Sequence, residues 1–145
     1  MKINTDHLNR CVSTLRVAWE GLQQCEPGDV LYEIYRAACV KEFELVLEQG
    51  DRLLKRRLRP YFASTRQADQ LYFNDVFRYA AKHCLIGDEA CERWLEYRVA
   101  RNDTAHEYGG NFAERTLELL PQFIVDAEAL AGVIEGGAGC VTGCI

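Results

Sequence analysis

Three prolines and three histidines occur in 145 residues, and no apolar run approaches the ~20 residues that cross a bilayer. The prolines stand at 27, 60 and 121, so long stretches between them are free to be helical. The first residues, Met-Lys-Ile-Asn-Thr-Asp-His, lack the apolar centre of a secretory signal. A cytoplasmic location is therefore expected, with no membrane contact. Cys-x-x-Cys pairs are absent, and no histidine lies near Cys140 or Cys144, so a zinc site is poorly supported. No glycine-rich phosphate loop follows a strand, no Ser-His-Asp order is present, and no carboxylates show metal spacing. Neither metal nor cofactor is expected.

What is present suits one helical domain. The net charge of −5 argues against indiscriminate binding to nucleic acid. Arg52, Lys55, Arg56, Arg57 and Arg59 nevertheless cluster within eight residues, with Arg66 close behind. A local basic surface on an acidic body, or a solvated helix face, accounts for them. Cys11, Cys25, Cys39, Cys84 and Cys91 lie in or beside helical patterns and read as small buried hydrophobes in a reduced chain.

The apolar spacing predicts five helices and no strand, and therefore an all-α, antiparallel, up-and-down bundle. The first runs over 5–24, with Asn4 or Thr5 as its cap. The second runs over 30–58, with Gly50 inside it marking a bend or a close helix contact. Residues 61–71 read as an irregular, mobile loop. A short third helix over 75–85 is capped by Asn74 and ended by Gly87. Asp88 caps the fourth, with Cys91, Trp94, Leu95, Arg98 and Val99 at helical spacing. Gly109 and Gly110 end it, and Asn111 caps the fifth, which Pro121 should kink. The glycine- and cysteine-rich end is expected to be a disordered tail.

Arg101-Asn102-Asp103-Thr104-Ala105-His106-Glu107-Tyr108 carries the chemistry. Arginine grips phosphate through a forked pair of hydrogen bonds, and histidine moves a proton near neutral pH. Arg98, Asn102 and His106 are spaced by four and share a helix face. Arg101 and His106 are five apart, so they meet in one cleft only by long side-chain reach, local unwinding, or a second subunit. Glu44 and Glu48 on the second helix are candidates to line the same groove. His7 and His83 read as surface or packing residues.

The Arg101-Asn102-x-x-x-His106-x-Tyr108 pattern resembles the signature of HEPN domains of the HepT-like branch. The whole chain, over roughly 5–134, is similar to the nucleotidyltransferase substrate-binding proteins, in which Phe43-Glu44 and Glu48 match the second-helix pattern. Gly50-Asp51-Arg52 stands where a tryptophan and a lysine would continue that pattern. The resemblance implies a four- to five-helix bundle over 1–134 with 135–145 as a tail, a homodimer, and a minimal nucleotidyltransferase encoded nearby as partner. In the narrower family the helical protein is a binding or regulatory subunit. In the HepT-like branch it implies a metal-independent ribonuclease toxin. There Arg101 binds the scissile phosphate, His106 moves the proton, Asn102 orients the site, and Tyr108 accepts AMP from the partner. Arg98, Glu44 and Glu48 are then substrate or partner contacts, and RNA is a possible ligand.

Overall fold

The computed structural model describes residues 2–106 and 110–136, and at 103–106 and 110–113 the backbone alone. Six α-helices follow in order, and the described residues contain no strand: α1 (Asp6–Gln23), α2 (Val30–Leu58), α3 (Thr65–Asp69), α4 (Phe73–Lys82), α5 (Asp88–His106) and α6 (Gly110–Glu135). The long helices α1, α2, α5 and α6 form the bundle, and the short α3 and α4 pack on α2.

The first helix buries the stripe its spacing predicts, Leu8, Cys11, Leu15, Ala18 and Leu22. Asn4 Oδ1 accepts the Asp6 N–H at 2.8 Å. Thr5 holds the cap position without a side-chain cap bond; its hydroxyl donates instead to Glu135 Oε1, which also accepts from Asn9 Nδ2 at 3.2 Å. The start of α1 is thereby stitched to the end of α6. Gly28, at φ +114°, makes the turn between α1 and α2 that side chains disfavour.

Pro60 ends α2 as expected, leaving one 3₁₀ turn over Arg59–Tyr61. The expected loop after it is not irregular throughout. The Ser64 hydroxyl accepts from Gln67 N, and Gln67 Oε1 accepts from Ala63 N, both at 3.2 Å. This reciprocal arrangement starts α3 and buries Ala68. Helix α4 begins two residues before the predicted 75, with Asn74 inside its first turn and no side-chain cap. Its end is also earlier than Gly87. Cys84 takes the left-handed position at φ 62°, and Leu85 N–H returns to Ala80 O at 2.9 Å, a Schellman ending without glycine.

Cys11, Cys39 and Cys91 are buried and free, and burial pushes the Cys39 thiol up to about 11. Cys25 is free but half-buried. Cys84 is half-buried. The tail with Cys140 and Cys144 lies outside the described residues.

The apolar face of α5 is Cys91, Trp94, Tyr97 and Ala100, whereas Val99 is exposed. Helix α6 opens at Gly110, one residue before the expected cap Asn111, and runs through Pro121 to Glu135. Proline there removes one backbone donor. Leu120, Phe123, Ile124, Ala127, Leu130 and Val133 are buried as their spacing predicts.

Gly50 is a close helix contact. A Cβ at this position would stand 3.1 Å from Leu130 Cδ2 of α6. Gly50→Leu therefore wedges the two helices apart and is expected to cost about 1–3 kcal/mol in urea unfolding. A variant as stable as wild type would show that α2 and α6 do not meet there.

Candidate functional site

Two buried aromatic residues fix the walls of a groove. Phe43 and Tyr97 lie in one ring cluster, their centroids 6.5 Å apart and nearly perpendicular. The next residue on each helix, Glu44 on α2 and Arg98 on α5, is turned out of that core. Between these helices and the start of α4 lies an open groove of about 320 Å³. Lys41, Glu44, Glu48 and Asp51 line it from α2, Phe73 from α4, and Arg98 and Arg101 from α5. Glu44 and Glu48 thus line one groove with Arg98 and Arg101.

Asn102 is exposed and does not line the groove. The His106 backbone closes α5, but its side chain lies outside the described residues, as does all of Tyr108. His83 stacks on Tyr61 at 4.1 Å between ring centroids, a packing role as expected. His7 is exposed, with Nε2 3.8 Å from Cys11 Sγ.

Lys41, Asp51 and Phe73 also line the groove and carry no site signal of the Arg–His kind in the sequence. Lys41 and Asp51 follow from the i, i+3, i+7 spacing of α2 around Glu44 and Glu48. Phe73 carries no sequence signal, because only tertiary packing brings α4 to this face. The Arg98 guanidinium lies 5.3 Å from the Phe73 ring centroid, a cation–π contact that holds it over the groove floor. Asp51, one of the three residues Gly50-Asp51-Arg52 at which the sequence departs from the expected second-helix pattern, faces this groove. Desolvation pushes its carboxyl above the ordinary value, against the opposing pull of Lys55, 3.4 Å away, and of Arg98. Its Oδ1 is buried without a hydrogen-bond partner.

The groove sets three cations, Lys41, Arg98 and Arg101, against three carboxylates, Glu44, Glu48 and Asp51. It is balanced in charge. Such a surface can meet a partner that also carries both signs. Among the described residues no group of His, Cys, Asp and Glu has the geometry of a metal site. No described helix is long and apolar enough to cross a membrane.

Residues 3–135 match the family described as nucleotidyltransferase substrate binding protein like. The chain belongs to that family. A probable ribonuclease HepT of Haemophilus influenzae is 30% identical to it over 94 residues. That alignment covers 65% of this chain and 63% of the relative, so the chain spans less than two thirds of that curated protein. Two solved structures share the fold. One, from Haemophilus influenzae, shows the fold of a substrate binding domain of a nucleotidyltransferase. It has a TM-score of 0.78 and 24% identity, and covers 90% of this chain and 98% of its own. The other, from Thermus thermophilus, has a TM-score of 0.70 and 21% identity, with 88% and 98% covered.

Proposed function

We propose that this chain is the helical partner subunit of a minimal nucleotidyltransferase, binding or regulating it through the groove between α2 and α5. The charge-balanced groove carries this reading. A polyanion would meet Glu44, Glu48 and Asp51 as well as Arg98 and Arg101, whereas a protein surface of mixed charge is complementary to both sets. Family membership and the fold likeness to a nucleotidyltransferase's substrate binding domain support it.

The acting form is a homodimer in this reading. Val30, Leu31 and Ile34 stand exposed on the first turns of α2. Ala37 and Val40 extend that strip to Lys41 and Glu44, which border the groove. Exposed apolar residues clustered in this way favour a protein contact. Co-expression with the neighbouring nucleotidyltransferase tests the proposal: a complex should survive purification at micromolar concentration. Two proteins that elute separately under those conditions contradict it.

A second reading, a HepT-like ribonuclease toxin, is favoured by the Arg101–His106–Tyr108 pattern and by the 30% identical relative. Arg101 then holds the scissile phosphate while His106 takes the proton of the attacking ribose 2′-OH. The 5′ oxygen leaves, taking a proton from water, and a cyclic phosphate remains. His106→Ala should abolish metal-independent cleavage with the fold intact, and Tyr108→Phe should block AMP transfer without touching cleavage. Cleavage at full rate by His106→Ala sinks this reading, and an AMP adduct on Tyr108→Phe removes Tyr108 as acceptor.

A further inference from the structure

We infer that the C-terminal half of α2 carries a separate binding site for linked phosphate groups. A pocket of about 260 Å³ there is lined by Arg52, Lys55, Arg56, Arg59 and Asp69. Four cations face one carboxylate, in a chain whose net charge is −5. This excess runs against the composition and creates a local field for anions.

The parts of the pocket differ in what they leave available. Arg59 is committed: Nε and Nη2 hold the two Asp69 oxygens at 3.1 and 3.0 Å. That forked pair ties α3 to the end of α2 and fixes the pocket wall. Lys55 leans back to Asp51 at 3.4 Å, so this ion pair separates the basic pocket from the balanced groove. Arg52 and Arg56 are exposed and enter no ion pair among the described residues. They stand one turn apart, about 6 Å along the helix axis. Each guanidinium fork matches the oxygens of one phosphate. Two forks at that spacing suit two linked phosphates better than a single anion.

Linked phosphates occur in nucleoside triphosphates and in the backbone of a nucleic-acid strand, and this chemistry is common to both. The inference goes beyond the partner-subunit reading and does not depend on it. A chain that never binds a nucleotidyltransferase can still hold phosphates here.

The test titrates the purified full chain with sodium triphosphate by calorimetry, and with a labelled single-stranded RNA by anisotropy, from about 50 mM salt upward. Arg52→Ala/Arg56→Ala should lose at least about tenfold in affinity for whichever probe binds, while its thermal melt stays at the wild-type value. With RNA, its salt slope should flatten by about 1.4, two contacts at ~0.7 each. Arg10→Ala/Arg115→Ala, exposed charges on α1 and α6, should leave affinity within a few-fold. Triphosphate binding identifies a nucleotide-like source, and RNA binding without triphosphate binding identifies a strand backbone. Wild-type affinity in the Arg52/Arg56 variant, an equal loss in the Arg10/Arg115 control, or no binding of either probe at low salt overturns the inference.

Discussion

Phe123→Ala is expected to lower the unfolding free energy by about 3–5 kcal/mol, the usual cost of truncating a buried aromatic. The melting temperature should fall by roughly 10–20 °C. Phe123 is fully buried on α6. Its ring centroid lies 4.6 Å from Phe43, 4.8 Å from Tyr97 and 5.5 Å from Trp94. The contacts with Trp94 and Tyr97 are edge-to-face, which adds to the area term. Because the ring joins three helices, neighbouring side chains cannot collapse into the space without moving a backbone. Phe43 and Tyr97 also immediately precede Glu44 and Arg98, so the cavity should loosen both walls of the groove. Urea unfolding measures the first effect. A loss under about 1.5 kcal/mol would show that the cluster refills, and that the groove walls are held by something else.

Asp126→Ala should cost about 2–4 kcal/mol at neutral pH. Desolvation alone pushes the Asp126 carboxyl up, but hydrogen bonds from Arg93, Tyr97 and Gln122 together outweigh it and hold the group below 3.8. Arg93 contacts both carboxylate oxygens, at 2.8 and 2.9 Å, and the Tyr97 hydroxyl donates at 2.6 Å. The Arg93 side chain is 35% exposed and recovers part of its hydration when the partner is lost, which keeps the figure below that of a fully buried pair. Tyr97, 1% exposed, does not, and its orphaned hydroxyl is the larger part of the cost. The pH dependence follows from the lowered carboxyl. The Asp126 contribution is complete above the unfolded value of 3.8 and is lost as pH falls through the lower folded value. The gap between wild type and Asp126→Ala should therefore be constant near neutrality and narrow below about pH 4. A gap that widens in acid would contradict the hydrogen-bonded carboxylate.

The long helices were legible because their burial repeats every three to four residues: Leu8 to Leu22 in α1, Leu120 to Val133 in α6. Short elements were not, since they answer to local hydrogen bonds. Ser64 and Gln67 form a start signal inside a polar stretch that otherwise reads as loop. Cys84 ends α4 in a backbone position where glycine is the usual occupant. In the site, residues on α2 and α5 were readable because spacing along one helix fixes a face. Glu44, Glu48, Arg98 and Arg101 do converge. Asn102 shares the spacing of Arg98 yet is exposed, so one row of a helix does not determine which residues a neighbour covers. Phe73 enters from a different helix, and periodicity carries no information about that encounter.

The most direct test of the groove as a nucleotidyltransferase contact is the dissociation constant for the partner enzyme, wild type beside Arg101→Glu. Arg101 is partly exposed at the groove wall, with no ion pair among the described residues, so its reversal should spare the fold. It also turns a balanced groove acidic. The account predicts micromolar or tighter binding by wild type and a loss of at least about tenfold in the variant, since like charges brought together across an interface cost several kcal/mol. Equal affinity in the two proteins, or no binding by wild type, contradicts it.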